Sequence, residues 1–423
     1  MNWLNIFQYL LDLGSPVLVP VVIFILGLIV GMRPGKALKS AVLIGIAFTM
    51  INVLLGALFG SIVPASEAII KATQGAVQLD IIDVGWAVAG TIAFATRYGL
   101  LIIPVAFIVN FIMLGFKWTK TFNVDIWNMY EYAFIGAIVQ IITGNFWLGL
   151  IAAILLEVLC LIGADLTQKR LSEFVDLPGV SFTTAPLIGQ WLYTIFMDRV
   201  ICTIFPILKR IDITPEKLVK KLGVFGETSI IGLIIGVFLG ILARYSVKDT
   251  LLLAIMVAAI MLVFPRIIKI LMEGLVPLSE VAKSTFAKRF KDREIFIGID
   301  WIVLMKPLHI ILGLLFIPIT ILLALILPGM HVMPMADLPF VFGFVWIIVP
   351  YTKQDFLRSF ILGIIAIIFG LYICQWIAPS FTAAAKLANV LLPEGANMIT
   401  VVAEGYTYPT AAIFGIFKLF FGR

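Results

Sequence analysis

The sequence predicts an all-α integral membrane protein made of two fused copies of one unit. Apolar runs, an internal repeat and basic residues confined to alternate loops carry that prediction. Of 423 residues, 62% are hydrophobic and 13% charged, and the mean hydropathy is +1.13. A soluble core of this length has no use for so many runs near the ~20 apolar residues that cross a bilayer. Val63-Pro64-Ala65-Ser66-Glu67 returns as Val276-Pro277-Leu278-Ser279-Glu280, and Leu100-Leu101-Ile102-Ile103-Pro104 as Leu314-Leu315-Phe316-Ile317-Pro318. Phe146-Trp147-Leu148-Gly149 returns as Phe360-Ile361-Leu362-Gly363, and Asp125 matches Asp337. The displacement stays near ~213 residues, the mark of a duplicated unit. We place the first repeat at 1–225 and the second at 226–423. Fused membrane repeats point to a transporter with its site where the halves meet.

Ten principal spans follow from the apolar runs: Pro16–Met32, Ala41–Phe59, Gly99–Leu114, Tyr132–Ile142, Trp147–Gly163, Ser229–Leu242, Leu251–Phe264, Ile310–Leu327, Val341–Val349 and Phe360–Ile377. The fourth and ninth are short and are expected to borrow length from their neighbours as continuous helices. Thr410–Phe421 is either a short eleventh span or an interfacial helix. Four further segments, Asp80–Arg97, Ser181–Ile207, Ile297–His309 and Pro379–Ala403, are apolar but broken by Gly, Pro or charge. They read as re-entrant hairpins and interfacial helices, because irregular backbone at membrane depth is tolerated only inside protein or along a cavity.

Basic residues orient the bundle. Arg33, Lys36 and Lys39 follow span one; Lys117 and Lys120 follow span three; Lys169, Arg170, Lys209, Arg210, Lys217, Lys220 and Lys221 follow span five. Arg266, Lys269, Lys283, Lys288, Arg289, Lys291 and Arg293 follow span seven, and Lys353 and Arg358 follow span nine. The alternate loops hold little beyond Lys71, Arg97, Arg244 and Lys248. The positive-inside rule then puts the N-terminus outside and the rich loops in the cytoplasm. Five spans per repeat is an odd number, so the halves must be inverted. The net charge of +6 is spent on orientation and does not mark a nucleic-acid partner.

Cys160, Cys202, Cys374 and the two histidines lie far apart, so neither a metal site nor a disulfide framework is expected. No cofactor, catalytic constellation or phosphate-binding Gly-Lys-Ser/Thr loop is evident. Charge inside a membrane is costly, which makes intramembrane acids functional candidates. Glu227, in Gly223-Val224-Phe225-Gly226-Glu227-Thr228, is either a hydroxyl acceptor at an unwound helix entry or a helix N-cap. Asp83 and Asp300 hold matching places in Asp83-Val84-Gly85-Trp86 and Asp300-Trp301. A carboxylate beside an indole suits a polyol, binding hydroxyls while the ring covers C–H bonds. Asp as a half-helix cap with Trp as interface anchor is the alternative, favoured for at least one of the two. Asn123-Val124-Asp125-Ile126-Trp127-Asn128 either lines the path or pins a loop. Glu131 and Glu157 lie in or near spans, and His309 and His331 read as packing or interface residues.

These residues resemble the galactitol branch of the phosphotransferase-system (PTS) enzyme IIC permeases. The likeness rests on Asp-Val-Gly-Trp at 83–86, Asn-Val-Asp-Ile-Trp-Asn at 123–128, Phe-Gly-Glu at 225–227, Ile-Gly-Ile-Asp at 297–300 and Phe-Ile-Pro at 316–318. It runs from about Leu11 to at least Gly363. It implies inverted five-helix repeats, a scaffold domain mediating homodimerisation and a mobile core domain, each drawn from both halves. It further implies elevator-like import of a neutral sugar or polyol across the bacterial inner membrane, with no phosphoryl chemistry in this chain. A separate cytoplasmic IIB protein, charged by IIA, phosphorylates the sugar, and the basic loops at 209–221 and 283–293 offer it a docking face. The chain departs from the branch at Ala87-Val88-Ala89-Gly90, at Thr183-Thr184 and at Lys306-Pro307, which implies a ligand other than galactitol itself. The substrate contacts implied are Asp83, Trp86, Asp125, Thr184, Glu227, Asp300 and Lys306. The rival reading is an ion-coupled secondary transporter using Glu131, Glu157 or Glu227; a passive channel fits hairpins and inverted repeats less well.

Overall fold

The structure, a computed structural model, describes residues 15–73, 79–125, 127–211, 213–289, 294–388 and 396–422. Ile126, Lys291 and Arg293 lie outside the described residues. Helix α1 covers Ser15–Ile29 and α2 Pro34–Thr73. Strand β1, Ile81–Asp83, leads into α3, Trp86–Ala95, and α4, Arg97–Gly115. Strand β2, Thr121–Asn123, is followed by a 3-10 turn at Trp127–Met129, then α5, Tyr130–Thr143, and α6, Phe146–Phe174. Strand β3, Val180–Phe182, leads to α7, Pro186–Ile204, and the short α8, Pro215–Leu222.

The second half opens with α9, Thr228–Leu242, and α10, Val247–Arg289. Strand β4, Phe296–Ile299, a 3-10 turn at Trp301–Leu304 and α11, Pro307–Ile326, come next. Strand β5, Val332–Met333, a 3-10 stretch at Leu338–Phe344, α12, Ile348–Tyr351, and α13, Phe356–Leu387, follow. Strand β6, Met398–Thr400, a 3-10 turn at Val402–Tyr406 and α14, Tyr408–Phe421, close the described chain.

Five apolar helices are long enough to cross a membrane among the described residues, within α2, α6, α10, α11 and α13. Five shorter apolar helical segments accompany them, including α5, α9 and Tyr408–Phe421. Helices α2 and α10 have 40 and 43 residues. At 1.5 Å per residue each is roughly 60 Å or more, about twice the hydrocarbon thickness, so each runs far beyond the span read from sequence. Pro64 lies within α2 and Pro277 within α10; Pro104 lies within α4 and Pro318 within α11. Each copy of these proline motifs thus lies within a helix.

Neither short span joins its neighbours as one continuous helix. The fourth is a helix of 14 residues that stops where Gly144 takes a left-handed φ of 66°. The ninth is not a continuous helix. Pro339 opens its 3-10 stretch, and Pro350 lies in the single turn of α12. Proline removes a backbone donor and crowds the preceding turn, so this buried apolar run stays irregular.

Two small parallel sheets, not foreseen from sequence, lie among the helices. One has the order β5-β1-β6 and the other β2-β4-β3. In each, the central strand comes from one half of the chain and both flanking strands from the other. Ile81 pairs with Val332 and Met398, while Ile297 pairs with Phe122 and Val180. The strands satisfy backbone groups that the broken hairpins would otherwise bury unpaired. Helices α1, α2, α9 and α10 pack on one another as a group, and the sheets lie with the remaining helices.

Candidate functional site

The two sheets carry two acidic pairs at corresponding places. Asp83 ends β1, and Asp300 follows β4 directly. Asp337 follows β5 by four residues, and Asp125 follows β2 by two. Asp83 and Asp337 both accept peptide N–H groups, Asp83 four of them and Asp337 two. Asp83 Oδ2 accepts from Met335 at 3.1 Å and Asp337 at 2.8 Å, and its Oδ1 from Gly85 at 3.2 Å and Val402 at 3.0 Å. Asp337 accepts from Trp86 N–H at 2.9 Å and Ala403 N–H at 2.8 Å. These bonds join the β1, β5 and β6 segments, which are distant in sequence. Gly85 makes the turn out of β1 with φ 83°, and a Cβ there would stand 2.9 Å from that of Ala336. Only glycine suits both demands.

The pair Asp125 and Asp300 is served differently. A single peptide N–H, Ile302 at 2.9 Å, reaches Asp300, which is partly exposed. Asp125 is buried and accepts from Asn128, at 3.4 Å from its peptide and 2.5 Å from its side-chain amide. The Asn128 amide also faces Asp300. Three residues past β6, Ala403 N–H serves Asp337; three residues past β3, Ala185 N–H goes instead to Glu131 at 2.9 Å. Two residues past β6, Val402 N–H serves Asp83; two residues past β3 stands Thr184, whose buried hydroxyl has no partner among the described residues. Asp300 therefore keeps acceptor capacity that its counterpart Asp83 has spent.

A rigid frame supports this second pair. Asn110 on α4 donates to Thr121 C=O at 2.8 Å and accepts from Asn123 N–H at 2.9 Å. Asn123 Oδ1 accepts from the Thr183 hydroxyl at 2.7 Å and from Asp125 N–H at 2.9 Å. Thr121 donates to Asp165 at 2.8 Å, tying β2 to α6. Trp301, next to Asp300, stands 4.9 Å from Trp346 and 5.6 Å from Phe342, ring centre to ring centre. Carboxylates beside a partly exposed indole can take hydroxyl protons while the ring covers C–H bonds.

Of the residues singled out from sequence, Asp125, Thr184 and Asp300 gather around this second sheet. Trp86 lies at the first pair, with its ring edge-on to Phe340 at 5.5 Å. Asp83 is a fastener, its oxygens occupied by the fold. Glu227 stands elsewhere: it is exposed at the N-cap of α9 and its side chain makes no capping bond. Lys306 lies at the entry of α11, its ammonium 5.4 Å from the centre of the Phe174 ring. No ion pair joins it to Glu227 or Asp300 among the described residues. His309 packs with both ring nitrogens engaged, at Lys306 N–H and Trp346 C=O, and His331 pairs with Asp80 at 3.3 Å. Asn128 and Glu131 belong to the site's frame. Glu404, absent from the sequence reading, is buried and faces Glu131. An acid within an apolar segment was its one available signal.

Apolar spanning helices around irregular hairpins that present acids define the class: a multi-pass membrane permease. The chain matches the family model for the PTS system sugar-specific permease component over residues 9–395, and it belongs to that family. It is 37% identical over 400 residues, 94% of its length and 91% of the relative's, to an Escherichia coli K12 protein named as a permease IIC component. It is 32% identical over 415 residues, 98% of its length and 91% of the relative's, to the PTS galactitol-specific EIIC component of the same strain. The corresponding galactitol-specific component of Escherichia coli O157:H7 matches equally. The chain is thus a galactitol-type PTS permease homologue of the bacterial cell membrane.

Proposed function

We propose that this permease imports a neutral polyol of the galactitol type, held by Asp125, Asp300 and Thr184 with Trp301 over its C–H face. The observation that carries the reading is the difference between the two acidic pairs. Corresponding places in the two halves hold carboxylates, yet Asp300 accepts one peptide N–H where Asp83 accepts four, and an unpartnered hydroxyl, Thr184, stands at the same sheet. A polyol supplies donors for the Asp300 carboxylate and an acceptor for Thr184. A hydrogen bond to an ionised group contributes about 1.5–3 kcal/mol, enough for selective binding from a few contacts.

The proposed architecture is an inverted duplication. Its support is the exchange of strands between the sheets, the placement of the repeated prolines and the alternation of basic loops. Helices α1, α2, α9 and α10 form the scaffold, which carries the homodimer contact, and the hairpin-bearing helices form the moving core. Import is an elevator-like displacement of that core, and a separate IIB protein, charged by IIA, phosphorylates the polyol on arrival. The test is uptake of labelled galactitol and related hexitols and pentitols by cells with and without the cognate IIB. Accumulation should require IIB. Accumulation driven by a proton or sodium gradient in liposomes containing this chain alone would reject the coupling.

A further inference from the structure

A cavity of about 960 Å³ lies between the long helices α2 and α10 and the segment that follows Asp300, on the side that the basic loops assign to the cytoplasm. Its walls are the start of α2, the middle of α10, the end of α6 and the segment from Val303 to Pro307. Lys36, Lys39, Lys269 and Lys306 line it, with Asp176 and Glu273 as the opposing acids. Four ammonium groups against two carboxylates leave an excess of two positive charges. None of the four lysines forms an ion pair among the described residues. Orientation signalling accounts for lysines on loops; it does not require four of them to converge on one cavity. Val303 and Met305 in its wall stand three and five residues past Asp300 in the chain.

We propose that this vestibule binds a phosphate monoester, the phosphorylated polyol before its release. The inference rests on the permease reading above and adds a second ligand chemistry to it. A neutral polyol gains nothing from ammonium groups. Its phosphate ester carries nearly two negative charges at neutral pH and three acceptor oxygens, matching the excess charge here. Lysine binds phosphate as a mobile point charge and needs no fixed fork geometry, which suits a passage through which the ligand leaves. A cleft with low-dielectric walls concentrates that attraction. Binding of the ester there would hold product apart from incoming polyol.

The test is lysine acylation read by mass spectrometry on the purified full chain, without IIB. Inorganic phosphate and galactitol 1-phosphate are the probes, each compared with chloride at equal ionic strength. Both should protect Lys36, Lys39 and Lys269 several-fold and leave Lys117 and Lys353 unprotected, the ester more strongly than phosphate. Lys269→Gln should reduce the protection of Lys36 and Lys39. Equal or absent protection at all five lysines would overturn the proposal. In a further arm with phosphorylated IIB added, protection seen only there would also overturn it and assign the vestibule to the partner. Galactitol binding, measured on the same preparation, separates the two readings. Galactitol bound without phosphate protection rejects the vestibule alone. Protection without binding of any polyol supports the anion site and contradicts the polyol site.

Discussion

The carboxylate of Asp83 accepts the peptide N–H of Asp337 at 2.8 Å, while Asp337 in turn accepts the peptide N–H of Trp86 at 2.9 Å. Each acid therefore fastens the backbone segment that carries the other. Asp83→Asn places an amide donor against two of the four N–H groups that Asp83 now accepts. Each buried donor left stranded costs about 1–3 kcal/mol. We expect a clear fall in melting temperature in detergent, and a melting curve matching wild type would contradict the fastening role.

Glu227→Gln should be nearly silent. The side chain is exposed and caps nothing, and surface substitutions of this kind usually stay within about 0.5 kcal/mol. Polyol affinity and melting temperature are the readouts. A loss of affinity would return Glu227 to the substrate path.

Helix contacts give a third prediction. A Cβ on Gly149 would run into the Tyr98 ring and hydroxyl, and one on Gly363 into Phe316 and Val345. Small residues let membrane helices approach closely, and overpacking them costs about 1–3 kcal/mol. Gly149→Ala and Gly363→Ala should both lower thermal stability. Gly56→Ala, where no atom lies within 4 Å, should not.

Topology is the fourth. Cysteines in place of Lys217 and Lys353 should be labelled only from the cytoplasm, and one at Lys248 only from outside. All three positions are exposed. External labelling at Lys217 would contradict the orientation and with it the inverted repeat.

These predictions also mark how far the sequence carried. The long apolar runs and repeated prolines located most helices, because membrane burial leaves a strong compositional trace. The sheets left none, since strands of two to four residues are too short for any periodicity. The ninth span misled for a related reason: apolar content gives burial, whereas Pro339 and Pro350 decide that the backbone there is not regular helix. At the site, acid identity was legible and acid role was not. Asp83 and Asp300 look alike in sequence, and what separates them is the supply of N–H groups from residues as distant as Val402. Glu227 looked equally promising because its glycines resemble an unwound entry, yet its surroundings leave it at the surface.

The central claim is that Asp300 binds substrate while its counterpart Asp83 only holds the fold. The most direct measurement is equilibrium binding of galactitol and a panel of hexitols and pentitols to purified wild type and Asp300→Asn, with melting curves on both. We predict that Asp300→Asn weakens binding of the preferred polyol by about 1.5–3 kcal/mol, the range for a hydrogen bond to a charged group, while melting like wild type. Wild-type affinity in a folded Asp300→Asn protein would contradict the account.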